Sequence, residues 1–543
     1  MPDRVADADW WRGAIIYQIY PRSFQDSDGD GIGDLAGATR RLDHLAHLGV
    51  DAVWISPVFR SPMRDFGYDV ADYCDIDPLF GSLEIFDAFV KRAHGLGLRV
   101  IIDLVFSHTS DQHPWFTESR QARDGPKADW YVWADANAAG EAPNNWQSVF
   151  GGKSWEWSPE REQFYLHNFL KEQPDLNLHN GAVQDALLDA LRFWLDRGVD
   201  GVRLDVVNFY FHDAELRSNP ILAERPAGAA DSVNPYDWQD HLYDKNRPDT
   251  VAFLKRMRAV LDSYGGRTSI GEISDSQYGL SLQAAYTSGG DRLHMCYEFS
   301  LLSGHYPGAE GLHDLIAEYE GGIEDGWACW AHSNHDVDRV ASRWSLGADQ
   351  QRLHAGILLS LRGTACLYQG EELGLHQADV PFEALQDPFG RAFWPDFKGR
   401  DGCRTPMVWE AGAHNAGFSD GKPWLPLEGK HLPQAVDQQR GVSDSLYEHY
   451  RSMIAYRKAR PALAHGQVEL LPKHPSCLAF IRRSGSEEIL CAFNLSSNTV
   501  EVRVPGEGWT VDTASPFGGT LGGQFGQIGA YDALFAIRKT SLR

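Results

Sequence analysis

In "GVRLDVVNF", residues 201–209, an arginine and an aspartate stand two apart in a run otherwise rich in Val, Leu and Phe. Period-two alternation puts Arg203 and Asp205 on one face of a strand. A neighbouring guanidinium keeps a carboxylate ionised. An ionised carboxylate at a barrel rim could attack an anomeric carbon; a buried ion pair that only stabilises the rim competes with that reading for this stretch alone. Other apolar runs end in the same way. Glu272 closes "TSIGEIS", and Asp336 lies in "HSNHDVDR" with His335 before it and Arg339 after it. Asp103 and His108 close "DLVFSHTS". Four runs that each deliver an acid or a histidine to a terminus favour a shared site over chance. Acid/base cleavage of a glycoside needs one carboxylate ionised and one protonated. Arg203 would hold Asp205 charged, and Glu272 has no cation nearby in sequence, which lets its pKa rise.

The elements that must position these residues are short β-branched runs followed by helix-like stretches. The runs at 13–24, 50–59, 98–106, 199–207, 267–274, 293–300, 326–336 and 363–372 lack polar alternation, as strands buried on both faces do. Amphipathic stretches at 82–97 and 182–198 lie between them, the second ending in Arg-Gly, a helix stop. Eight such units predict an α/β fold, a (β/α)₈ TIM barrel. About ninety residues, rich in Trp, Pro, Asn and Gly, separate the third strand from the fourth. The expected organisation is a first barrel part over 1–103 and an excursion domain over 104–176. A second barrel part over 177–463 follows, with insertions near 208–250 and 375–410. A C-terminal antiparallel β-domain over 464–543 is expected from short alternating runs and turn residues.

The 543 residues exceed one ordinary core. A net charge of −25 repels phosphate backbones and anionic lipid, so neither nucleic acid nor a membrane surface is an expected partner. No apolar run approaches the roughly 20 residues of a membrane span. The start, "MPDRVADADWW", has no basic or apolar leader region. Seven cysteines are scattered without a C-x-x-C pair, which reads as reduced thiols and a cytoplasmic location. Aromatic residues make up 12% of the chain, enough for sugar-stacking platforms but also usual in large cores. His44, His47 and His94 read as packing or surface residues, and Glu371 and Glu372 as rim structure.

"DSDGDGIGD" places Asp26, Asp28, Asp30 and Asp34 around glycine turns. Alternating carboxylates of this kind suit a hard cation, Ca²⁺ or Mg²⁺, with the Ile32 carbonyl as a further ligand. Gly37 stands where an EF-hand has its closing glutamate. The expected role is structural; no organic cofactor is implied.

Taken in order, "DLVFSHTS", "GVRLDVVNF", "IGEIS" and "SNHDVDR" resemble the four conserved regions of glycoside hydrolase family 13, the α-amylase family. "QPDLN" (173–177) resembles the marker of its oligo-1,6-glucosidase subgroup, and "DSDGDGIGDLAG", "FGYDVADY" and "GTACLYQGEELG" extend the match from about residue 10 to the C-terminus. The resemblance implies Asp205 as nucleophile, Glu272 as general acid/base and Asp336 as the acid that holds the sugar hydroxyls and stabilises the transition state. It further implies that Arg203 orients Asp205, that His108 and His335 bind the same sugar and that Tyr68 stacks under its ring. Asp65 and Arg404 would close the pocket behind a terminal glucose, with Arg400 an open alternative for the arginine. Phe150, Phe169 and Gln173 would line the pocket. Ser107 departs from the family's usual asparagine before His108.

A closed pocket implies exo-action on short substrates. Val206, next to the nucleophile, accompanies tolerance of α-1,6 bonds in related enzymes. An α-glucosidase acting on maltose- and isomaltose-type oligosaccharides is the expected activity. A transglucosylase or sucrose-active relative is the alternative, because another hydroxyl can capture the same glucosyl-enzyme. A non-catalytic amylase-like interaction protein is the alternative from a different class; such relatives lose their catalytic acids and carry a membrane anchor. Oligomeric state is not legible.

Overall fold

The computed structural model describes residues 8–223, 234–275, 277–302 and 306–539. Eight strands are buried along nearly their whole length: β1 (Ile15–Ile19), β2 (Ala52–Ile55), β3 (Arg99–Leu104), β4 (Gly201–Leu204), β5 (Thr268–Gly271), β6 (Met295–Glu298), β7 (Ala328–Ala331) and β8 (Thr364–Tyr368). Each falls inside one of the eight runs read from the sequence. They pair in chain order, every ladder parallel, and β8 closes on β1. Polar alternation is missing because both faces are covered. Ile16, Ala52, Trp54, Ile101, Ile270, Cys329 and Cys366 fill the barrel interior. Their neighbours Ile15, Tyr17, Val53, Ile55, Val100 and Ile102 face the outer core.

The outer layer is α1 (Leu35–Leu48), α2 (Leu83–Gly95), α3 (Gly181–Asp196), α4 (Thr250–Tyr264), α5 (Gly279–Thr287), α6 (Gly308–Gly322), α7 (Ala348–Leu358) and α8 (Leu446–Lys458). Local chemistry fixes their starts: Asp34, Ser82 and Asn180 each accept a first-turn N–H from Gly37, Ile85 and Ala182. Gly49, at φ 94°, ends α1 in the left-handed conformation that glycine adopts without a Cβ penalty.

Three long segments leave the C-terminal ends of the strands. Between β3 and α3, a small antiparallel sheet of Trp133–Ala134, Gln163–Leu166 and Trp155–Ser158 encloses its own core around Trp146 and Trp155. Bridges from His108 to Asp175 and from Tyr131 to Leu176 tie it back to the barrel. Between β4 and α4, the chain makes short 3₁₀ turns at Val207–Phe209 and Pro235–Trp238; residues 224–233 of this insertion lie outside the described residues. The third segment runs from the end of β8 to α8.

In the C-terminal domain the alternation absent from the barrel returns. Leu478, Phe480, Cys491, Phe493 and Phe535 join the barrel's outer core, while Cys477, Ala479, Ile481, Ala492 and Leu534 face a second, three-stranded sheet. Two buried guanidiniums organise this junction: Arg457, on α8, ties the barrel's own segments together, and Arg482, on the C-terminal sheet, reaches across to the barrel. Arg457 donates to the carbonyls of Gly13, Leu359, Leu361 and Gly363 at 2.5–3.2 Å. Arg482 bonds the carbonyls of Ser360 and Gly466. Burial lowers the Arg457 pKa to about 10, so it stays charged at neutral pH. Among the described residues no helix is long and apolar enough to cross a membrane.

Arg457→Met leaves four inward-facing carbonyls without their donor. The expected loss is roughly 3 kcal/mol of stability, read as a lower transition temperature in differential scanning calorimetry. An unchanged transition would contradict that role for Arg457.

Candidate active site

Arg203, on β4, is the hub. Its Nη1 donates to Asp103 Oδ1 at 2.9 Å and to Asp205 Oδ1 at 2.7 Å, and its Nη2 bonds Glu272 Oε2. Register produces this meeting: Arg203 stands opposite Asp103 on β3 and Ile270 on β5, and Glu272 follows the end of β5. All four side chains are buried. Two expectations from the sequence need correcting. Glu272 does have a cation at hand, Arg203, brought from another strand. Arg203 also does not by itself hold Asp205 in the ordinary carboxylate range, because three carboxylates share the one guanidinium. Burial raises the pKa values of Asp103 and Asp205 against its pull. Burial raises Glu272 highest, to about 8, with Arg203 opposing and Asp205 adding. Asp205 itself is raised to about 7, so the cluster as a unit holds back a proton into the neutral range, with Glu272 raised furthest.

The turn after β4 completes the arrangement. Val206 sits at φ 35°, ψ 53°, a left-handed conformation that a β-branched residue adopts only under constraint. Its N–H donates to Glu272 Oε2 at 3.1 Å. With Arg203 and this amide both on Oε2, the acid's proton belongs on Oε1.

Tyr68 and His335 form the next layer. Their rings stack at 5.4 Å, and Tyr68 Oη contacts His335 Nε2 at 2.6 Å and donates to Asp103 Oδ2 at 3.1 Å. Trp54 Nε1 donates to the same Asp103 oxygen at 3.2 Å. Burial lowers the His335 pKa to about 3. The ring is neutral, with its proton on Nε2 facing Tyr68 and Nδ1 accepting from Gln18 Nε2 at 2.8 Å. Asp336 Oδ1 accepts from Arg404 Nη2 at 2.9 Å and Arg400 Nη1 at 3.2 Å. Burial would raise this carboxyl, but His335, Arg400 and Arg404 together hold it well below the usual range.

Asp65 pairs with Arg400, at 2.8 Å from Nη2 to Oδ1, and not with Arg404. The two arginines flank a short turn, Asp401–Cys403, so both guanidiniums reach the pocket at different places. Arg404 Nε is spent on the His335 carbonyl at 2.7 Å. Arg400 is fixed from behind by Asp387, which accepts from its backbone N and from its Nε and Nη2. Gln173 Nε2 donates to Asp65 Oδ2 at 3.3 Å and lies 3.1 Å from His108 Nε2. His108 packs on Phe169, Phe169 on Phe150, and Arg400 lies over the Phe150 ring. Ser107 Oγ bonds His108 Nδ1 at 2.9 Å, so the hydroxyl supplies the ring with a partner despite the departure from asparagine.

The structure thus gathers Asp65, Tyr68, His108, Phe150, Phe169, Gln173, Arg203, Asp205, Val206, Glu272, His335 and Asp336 around one pit. Asp387, Gln18 and Trp54 escaped the sequence reading. Asp387 lies in an insertion without periodicity; Gln18 and Trp54 sit in strands whose apolar neighbours explain them well enough.

In the acidic loop, Asp26, Asp28 and Asp34 bring carboxylate oxygens within 4.8 Å of one another. Asp30 falls outside the group, because its carboxylate turns back to accept the Ile32 N–H at 2.7 Å. Asp26 accepts from the amides of Asp28, Gly29 and Gly31 and from the Ser419 hydroxyl. None of the three acids is ion-paired with a lysine or arginine among the described residues. Hard oxygen donors without a counter-cation fit Ca²⁺ or Mg²⁺.

Residues 18–466 match the family model of the alpha amylase catalytic domain, and residues 468–515 that of the maltogenic amylase C-terminal domain. A probable alpha-glucosidase of Rhizobium meliloti is 57% identical over 505 residues, 92% of each chain. An oligo-1,6-glucosidase of Heyndrickxia coagulans is 38% identical, over 92% of this chain and 95% of that one. The crystal structure of the alpha-glucosyl transfer enzyme XgtA superposes with a TM-score of 0.94 at 50% identity, covering 98% of this chain and 99% of that one.

In the acid role that the resemblance implies, Glu272 would contribute to kcat/KM below its pKa and lose that contribution as pH rises through about 8. The limb is expected on maltose, whose leaving alcohol needs the proton, and is expected to flatten on an activated aryl glucoside, whose leaving group does not; an equal limb on both substrates would assign it elsewhere.

Proposed function

Because the chain belongs to the α-amylase family of glycoside hydrolases, we propose that it is an exo-acting, retaining α-glucosidase. It removes glucose from the non-reducing end of short α-1,4- and α-1,6-glucosides. The observation that carries this reading is the meeting of Asp205 and Glu272 on one guanidinium, with burial raising Glu272 furthest. Glu272 Oε1 protonates the glycosidic oxygen as Asp205 attacks C1, and the bond to the leaving alcohol breaks. A glucosyl ester of Asp205 results. Glu272, now a carboxylate, takes a proton from water, which attacks C1 and frees α-glucose and Asp205. Asp336, held anionic by Arg400 and Arg404, orients sugar hydroxyls and faces the positive charge that grows at C1. The buried Asp65–Arg400 pair supports a closed pocket for one terminal glucose. Acceptance of both linkages rests on Val206 and on the names of the relatives; a contact of this size discriminates only ~10–200-fold.

Capture of the glucosyl ester by a second alcohol is the other outcome the site permits. The likeness to XgtA, a glucosyl transfer enzyme, favours a substantial share of it. The acidic loop would hold Ca²⁺ or Mg²⁺ through Asp26, Asp28 and Asp34, bracing the start of α1. A cytoplasmic location fits seven free thiols.

Maltose, isomaltose and sucrose, each followed by product analysis, test the reading. Glucose from the first two is expected, with Asp205→Asn at least ~10³-fold slower; equal turnover by that variant would overthrow it. Chelation with EDTA is expected to lower the transition temperature while leaving initial rates at 25 °C intact. A transition that does not move ends the metal assignment.

A further inference from the structure

The ladder between β4 and β5 ends with Leu204 opposite Gly271. Two backbone bonds carry it one step further. Glu272 N–H donates to the Leu204 carbonyl at 3.0 Å, and Val207 N–H donates to the Glu272 carbonyl at 2.9 Å. Backbone pairing stops there, because Val206 has turned the chain and Val207–Phe209 is a 3₁₀ turn. The segment that carries Glu272 nevertheless runs on to Ser274. That residue is exposed, so burial of its side chain does not hold the segment.

Asn208 supplies the missing rung. It is fully buried. Its Oδ1 accepts the Ser274 N–H at 3.2 Å, and its Nδ2 donates to the Ser274 carbonyl at 3.3 Å. The amide side chain offers one acceptor and one donor on separate atoms, as a backbone peptide does. Its orientation follows from the partners: turned over, it would set its NH₂ against the Ser274 N–H. Nδ2 also donates to Asn246 Oδ1 at 2.9 Å, and the Asn246 N–H returns to the Asn208 carbonyl at 2.8 Å.

The far side of the segment is braced from the same insertion. Lys245 Nζ donates to the Ser274 carbonyl at 2.9 Å and pairs with Asp275 at 3.2 Å. Asn246 Nδ2 donates to Asp275 Oδ2 at 2.7 Å. Asn208 alone of these three stands on the nucleophile's own turn, three residues after Asp205, and it grips the residue two after Glu272.

We propose that Asn208 is a positioning residue, whose amide sets the reach of Glu272 toward the glycosidic oxygen by clamping Ser274 to the turn that carries Asp205. The role rests on the glucosidase reading above. It concerns the acid and not the nucleophile. Asp205 keeps its place without Asn208, through its N–H bond to the Leu104 carbonyl at 3.0 Å and through Arg203 at 2.7 Å. Without Asn208, the Ser274 backbone keeps one bond among the described residues, from the long flexible arm of Lys245. A reacting group displaced by about 1 Å costs on the order of 100-fold in rate.

The test compares leaving groups in Asn208→Leu, a side chain of similar size without either polar atom. The glucose that leaves maltose needs the acid's proton; the p-nitrophenolate of p-nitrophenyl α-glucoside does not. The kcat/KM is expected to fall by roughly tenfold or more on maltose and by less than about threefold on the aryl glucoside, with the melting profile read alongside. A merely structural role lowers both alike. Equal loss on the two substrates, or loss on neither, overturns the proposal. Asn246→Ala, at a half-buried position, removes a partner of Asn208 Nδ2 and is expected to give the same skew at about threefold. Should Asn208→Leu fail to fold, this second variant decides, and an even effect on the two substrates overturns the proposal. A parent that hydrolyses neither substrate refutes the glucosidase reading; an active parent with unskewed variants refutes the role of Asn208 alone.

Discussion

One guanidinium and three carboxylates in a buried space set the terms for everything around them. Arg203 can neutralise one of Asp103, Asp205 and Glu272 and only partly compensate the others. Some proton must stay. Asp103 has Trp54 and Tyr68 on its second oxygen, and of the three acids burial raises Glu272 furthest. A raised acid beside a carboxylate is the product of a charge shortage. The barrel enforces it through register, since a one-residue slip of β4 would turn Arg203 and Asp205 to the opposite face.

The outer half of the pit repeats the theme with different hardware. Asp65, Asp336 and Asp387 share Arg400 and Arg404. Here the cations come from an irregular segment that no strand ladder holds in place. Asp387 does the holding, with bonds to both the backbone and the guanidinium of Arg400. Asp336 touches both arginines and stays anionic; Asp65 touches one and is raised by burial. The two halves thus differ in purpose: the first keeps a proton and the second excludes one.

The sequence made the first half legible and the second only partly so. Period two announces that Arg203 and Asp205 share a face, and eight buried runs announce a barrel whose strand ends converge. No periodicity governs residues 375–410, so Arg400 and Arg404, four apart on a turn, could not be told from each other. Asp387 carried no signal at all. Val206 reads as an ordinary strand residue, yet it occupies a backbone region that its own β-branch disfavours, held there by its bond to Glu272 and by the turn that Phe209 N–H closes on its carbonyl. The acidic loop shows the opposite failure. Its even spacing suggested four equivalent ligands, but Asp30 bends back onto its own turn.

The Asp65–Arg400 floor has a kinetic consequence. Under the glucosidase reading, a pit closed by this ion pair would admit donor and acceptor through the same opening, so the departing alcohol would have to leave before an acceptor enters.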